Sequence, residues 1–157
     1  MVRSKTYPHY QKGVTFIELI IVLSVIVILS TLSLSSYRNF NEDRKLELEA
    51  QKLIETFELA KKKTISGDKP CGSFQGTYTV SWTISSYTLT PDGCSNLMTY
   101  RFPGSIVLTT NSSVTFQPFG RGSDEASIIM KHVKKSVCRN VTLNGAGTAD
   151  QDIITCP

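Results

Sequence analysis

The chain of 157 residues predicts an α+β fold: a long N-terminal α-helix, apolar then amphipathic, packed on a C-terminal antiparallel β-sheet domain. Three observations carry this expectation. Residues 19–37 contain no charged side chain, a run of nineteen closed by Arg38. Residues 38–65 are rich in charge, lack glycine and proline, and place Leu46, Ala50, Leu53, Phe57 and Ala60 at spacings of four and three. Beyond residue 70 the pattern changes to period two, broken by turn residues.

The apolar run is long enough to span a bilayer's hydrocarbon core, which needs roughly 20 helical residues at about 1.5 Å each. Glu18 stands at its head. A carboxylate there costs about 2–3 kcal/mol or more unless it is paired, which makes it a functional residue by default. The second half of the helix presents one apolar stripe. Gly67-Asp68-Lys69-Pro70 reads as its stop, and Lys61-Lys62-Lys63 complements the negative end of the helix dipole.

Strands are expected at 77–83, 86–90, 97–102, 105–109, 113–117, 126–133, 137–143 and 152–155. Pro91-Asp92-Gly93, Pro103-Gly104, Pro118-Phe119-Gly120 and Asn144-Gly145 punctuate them. All four cysteines, Cys71, Cys94, Cys138 and Cys156, lie in this part. Gaps of 22, 43 and 17 residues leave no close ligand pair for zinc, and an even count in an exported small domain favours two disulfides. Three connectivities are open. Strand logic suggests Cys71–Cys94, beyond the open end of one hairpin, and Cys138–Cys156 across another. Free thiols remain the alternative if the domain faces a reducing compartment.

The start of the chain carries the sharpest motif. Lys12-Gly13-Val14-Thr15-Phe16-Ile17-Glu18-Leu19-Ile20-Ile21-Val22 resembles the type IV pilin signature, shared by pilins and the pseudopilins of type II secretion. The resemblance implies cleavage between Gly13 and Val14 by a membrane-embedded prepilin peptidase, then methylation of the new Val14 amine. It also implies that Glu18 neutralises the N-terminus of a neighbouring subunit during assembly. The expected organisation is a leader at 1–13, a transmembrane and filament-core helix at 14–37, an amphipathic helix at 38–66 and a disulfide-clamped β domain at 67–157. The implied partners are other pilin or pseudopilin subunits, the peptidase, an inner-membrane assembly platform and membrane lipid. The implied location is a single-pass inner-membrane anchor with the C-terminal domain extracytoplasmic, later part of a surface or periplasmic filament.

Val14 replaces the usual phenylalanine, and Ser35 stands where major pilins often carry proline. The segment Val114-Thr115-Phe116-Gln117-Pro118-Phe119-Gly120-Arg121-Gly122 is similar to the turn of pseudopilin H and FimT-like minor pilins. An ordinary secretory signal, with Arg3, Lys5 and Lys12 as its positive region, explains neither the length of the apolar run nor Glu18. A signal-anchored domain without a filament role explains the length but not the spacing from glycine to glutamate.

No enzyme, cofactor or metal site emerges from the sequence. His132 is expected as a half-exposed strand residue. The formal net charge of +4 falls to +1 once the three basic residues of 1–13 are discounted, so no chain-wide nucleic-acid footprint exists. A local basic patch of Arg121, Lys131, Lys134, Lys135 and Arg139 is the feature that DNA capture would use, through salt-sensitive phosphate contacts. Strand alternation is expected to send Lys134 to the face opposite Lys131 and Lys135. DNA binding is therefore the secondary alternative to a structural subunit.

Overall fold

The computed structural model describes residues 13–135 and 137–156, apart from the side chains of 31–36 and 39. All of the expected leader except Gly13 lies outside the described residues. The chain divides into two compact units, residues 1–40 and 41–157. One helix, α1, runs Phe16–Ser66 and contains the boundary between them. Among the described residues eight strands follow: β1 Tyr78–Trp82, β2 Ser86–Pro91, β3 Met98–Arg101, β4 Ile106–Leu108, β5 Ser112–Phe116, β6 Ala126–His132, β7 Val137–Leu143 and β8 Ala149–Thr155. The fold is α+β, a helix packed on antiparallel β structure.

That β structure is two four-stranded sheets, in the orders β3-β2-β1-β5 and β4-β6-β7-β8, with every pairing antiparallel. Alternation decides which face is buried. In the first sheet Tyr78, Val80 and Trp82 of β1 lie level with Phe116 and Val114 of β5 and with Leu89 and Tyr87 of β2. In the second, Met130 and Ile128 of β6 face Leu108 of β4 and Val141 of β7. Both inward faces join the buried stripe of α1, Leu46, Ala50, Leu53, Phe57 and Ala60, in one core. Phe57 has its ring centroid 6.2 Å from those of both Trp82 and Phe116.

The helix stops where chemistry requires. Gly67 adopts φ +64°, and the Asp68 N–H donates back to the Lys63 carbonyl at 3.2 Å. Lys63 also pairs with the Asp68 carboxylate, which raises the lysine's pKa chiefly through that hydrogen bond.

Two disulfides close the loops. Cys71 and Cys94 join with Cα atoms 6.0 Å apart, below the open end of the β1–β2 hairpin where Tyr78 faces Pro91. Cys138 and Cys156 join at 5.1 Å; Cys138 faces Ile154 across β7–β8 and reaches Cys156 diagonally on the same face.

Two expectations need correction. The last strand begins at Ala149, not 152: Leu143 pairs with Ala149, and the register extends through three polar-rich positions that show no apolar alternation. His132 is buried at 3% exposure, not half-exposed, because it continues the inward row of Ile128 and Met130.

Candidate functional site

The described part of the first unit is an apolar helix with its large side chains exposed. Every large apolar side chain from Val14 to Leu29 is exposed, between 48% and 78%. Burying each of them is worth roughly 1.5–3 kcal/mol, and a helix apolar all round belongs in a core, a bundle or lipid. Among the described residues no helix is long and apolar enough to cross a membrane; in α1 the apolar run continues into positions 31–36, whose side chains are not described. Ser24 and Ser30 do not interrupt it. Their hydroxyls donate to the Ile21 and Ile26 carbonyls at 2.7 Å, satisfying their own polarity within the helix.

At the head of this unit Gly13, Val14 and Thr15 are exposed and outside the helix. Thr15 is the N-cap. Its carbonyl accepts the Leu19 N–H at 3.2 Å, and its Oγ1 accepts the Glu18 N–H at 3.3 Å. Thr15-Phe16-Ile17-Glu18 has the form of a capping box, in which the glutamate would return the bond to the threonine N–H. Only the threonine's half is made. The Glu18 carboxylate is exposed, with no hydrogen-bond or ion-pair partner among the described residues. Gly13, Val14 and Glu18 thus lie within six residues, the peptide bond between the first two free of the helix and the acid one turn inside it.

The five basic residues do not form one patch. Lys131 points to the face of β6 away from α1, opposite Cys138, whereas Arg139 faces inward opposite Met130. Lys134 and Lys135 sit in the turn after β6 rather than on a strand, so strand alternation does not separate them. Lys135 and Arg139 are committed to the helix: Lys135 Nζ lies 2.7 Å from Asp43 Oδ1, and Arg139 Nη2 lies 3.3 Å from Glu47 Oε2. Arg121 is exposed, beside a short 3-10 turn at Pro118–Gly120 where Phe119 takes φ +61°.

These pairs belong to a ladder that the sequence reading missed, in which acids on α1 meet basic groups from β6, its following turn and β7. Glu42 Oε2 lies 3.0 Å from His132 Nε2, Asp43 meets Lys135 and Glu47 meets Arg139. The Lys134 N–H donates to His132 Nδ1 at 3.3 Å, so Nε2 carries the ring proton and donates to Glu42. Hydrogen bonding from Lys45, and secondarily from His132, holds the Glu42 carboxyl below its ordinary pKa against the opposing effect of desolvation. Arg44 does the same for Glu47, with Arg139 adding its charge. Both ring nitrogens of His132 are engaged in this clasp. The signal available in the sequence was the run Glu42-Asp43-Arg44-Lys45-Leu46-Glu47, three acids around the start of the buried stripe. Among the described residues no group of three or more His, Cys, Asp or Glu is placed to hold a metal ion.

A family model described as the prokaryotic N-terminal methylation motif matches residues 8–34. The chain carries a type IV pilin-like prepilin signal. Proteins with such a signal are processed by a prepilin peptidase and interact with other pilin subunits, and their role is structural rather than catalytic. The signal implies a membrane-anchored, pilin-like protein. No curated protein and no solved structure matches the chain.

Proposed function

We propose that this chain is a structural subunit, a minor pilin or pseudopilin of the pseudopilin H/FimT-like type, of a type IV pilus or type II secretion pseudopilus. The observation that carries the reading is the methylation motif at 8–34, which overlaps a helix whose large apolar side chains are exposed from Phe16 to Leu29 and whose first-turn acid has no partner among the described residues. Cleavage after Gly13 frees the Val14 amine, which is then methylated. Segment 14–37, helical from Phe16, first anchors the subunit in the inner membrane, with the β domain extracytoplasmic, and then packs among its copies. There Glu18 pairs with a neighbour's positive N-terminus. Two opposite charges in a low-dielectric bundle attract strongly, while either alone is costly to bury, so the pair selects one register. Helix-then-strand order and the aromatic-proline-glycine turn at 116–122 support the H/FimT-like branch.

Two of the five basic residues are engaged by helix acids, which favours a structural subunit over a DNA receptor. The test is intact mass with N-terminal peptide mapping of unreduced protein from its native membrane. A chain beginning at N-methylated Val14 and lighter by the four protons of two disulfides is the expected result. A start near Ser36 means a secreted domain and refutes the filament reading; an intact Met1 means an unprocessed anchor and refutes the processing.

A further inference from the structure

We propose that Thr15 is a positioning residue for the cleavage, holding the Gly13–Val14 peptide bond outside the helix by fixing where α1 begins. The inference rests on the processing reading above. The observation is the cap itself: Thr15 Oγ1 takes the Glu18 N–H and the Thr15 carbonyl takes the Leu19 N–H, so the helix starts at Phe16. Gly13 and Val14 are then the two residues before the cap, exposed and non-helical.

The alternative start explains why this matters. Glycine is nearly as good an N-cap as threonine, whereas valine and alanine are poor ones. If Thr15 stops capping, the next competent position upstream is Gly13, and the helix lengthens to begin at Val14. In that arrangement the Gly13 carbonyl accepts the Ile17 N–H, as an N-cap carbonyl does. The scissile carbonyl is then bonded within the helix, and its amide is wound into the first turn. A protease needs that carbonyl free for attack and for its own hydrogen bonds. Thr15 tips the balance toward the cleavable form. The Glu18 side chain sits in the first turn with no partner among the described residues, where the proposed filament contact needs it.

A population effect of this kind lowers the fraction of chains that can be cut, and so weakens apparent substrate binding rather than the chemical step. The experiment uses the full-length chain in detergent with purified prepilin peptidase, following the product that starts at Val14 by mass. Thr15→Val, close in shape but unable to cap, and Thr15→Ala are expected to lower kcat/KM about three- to fivefold, carried by KM. Thr15→Ser and Thr15→Asn, which differ in shape but cap well, are expected to stay within about twofold of the parent chain. Slower amide exchange at Ile17 in Thr15→Val, where its N–H gains the Gly13 carbonyl, restored to the parent rate in Thr15→Ser, is the matching structural readout.

Three results overturn the proposal. Cleavage of Thr15→Val at the parent rate shows that the cap does not position the bond. Equal slowing of the Ser, Asn and Val variants shows that the peptidase reads the threonine side chain directly. A change confined to kcat places the residue in the chemical step. Failure of the parent chain to be cut at Gly13–Val14 refutes the underlying processing reading instead, so the two failures are distinguishable.

Discussion

Replacing Lys52 should destabilise the protein far more than replacing its partner Glu49, although the two form one ion pair. Glu49 is on the buried side of α1 at 5% exposure. Its Oε1 accepts from Lys52 Nζ at 2.8 Å and from the Tyr100 hydroxyl at 3.1 Å, while its Oε2 has no hydrogen-bond partner among the described residues. Lys52 keeps 45% of its side chain in solvent, also donates to the Tyr100 hydroxyl at 2.9 Å, and lies 5.0 Å from that ring's centroid. Lys52→Met strands a buried carboxylate on one hydroxyl. Breaking a fully buried pair costs about 3–5 kcal/mol. Solvent access to the lysine end reduces the expected loss to about 2 kcal/mol. Glu49→Met removes the buried charge and releases a lysine that water already reaches, so its effect should stay within about 1 kcal/mol of zero. The double variant should return to within about 1 kcal/mol of the parent, because no charge is left buried without its partner. The assay is urea unfolding of the oxidised full-length chain in mild detergent, followed by the fluorescence of Trp82. This is the sole tryptophan in the sequence and is buried between the helix and first sheet. Additive losses in the double variant, or a larger loss from Glu49→Met than from Lys52→Met, would refute the reasoning.

Three further outcomes are expected. Gly13→Leu should block processing whereas Gly13→Ala should permit some of it; unimpaired cleavage of the leucine variant, read by mass, would sink the motif assignment. Gly122→Ala should destabilise by about 3 kcal/mol or more in the same urea assay. Gly122 has φ +96°, and a Cβ there would lie 2.0 Å from the Gly145 carbonyl oxygen, against backbone that cannot swing away. Acid should weaken the clasp at Glu42 and Glu47. Hydrogen bonds from Lys45 and Arg44 hold their carboxyls below the ordinary glutamate range, so their stabilisation is present above that range and lost as pH falls through the lowered values. The combined Glu42→Gln and Glu47→Gln variant should flatten the acid limb of the stability profile, and an unchanged limb would contradict this origin.

The helix and its two characters were legible in sequence because local rules govern them. A 3.6-residue stripe from Leu46 to Ala60 has one way to be buried, and Gly67 followed by Pro70 leaves few ways to continue. The strands at Tyr78–Trp82 and Val137–Leu143 were legible for the same reason, alternation against turn residues. The start of β8 was not. Ala149, Asp150 and Gln151 become strand because β7 offers partners in register, and pairing across a sheet leaves no trace in the polarity of an edge strand. The prepilin signal is linear: glycine, then an acid five residues later, then an apolar run, all readable without a fold. Thr15's cap was readable in the same stretch, as threonine three residues before glutamate.

Sequence by itself therefore determined the prepilin signal, the α+β class and the position of the amphipathic stripe, because each depends on residues near one another in the chain. Tertiary structure alone decided that the strands form two sheets rather than one, and that His132 is buried against Glu42. It also decided that Lys135 and Arg139 answer Asp43 and Glu47 instead of facing solvent. Those outcomes depend on which faces meet across some ninety residues of chain, and charge pairing at that separation is set by packing, not by spacing.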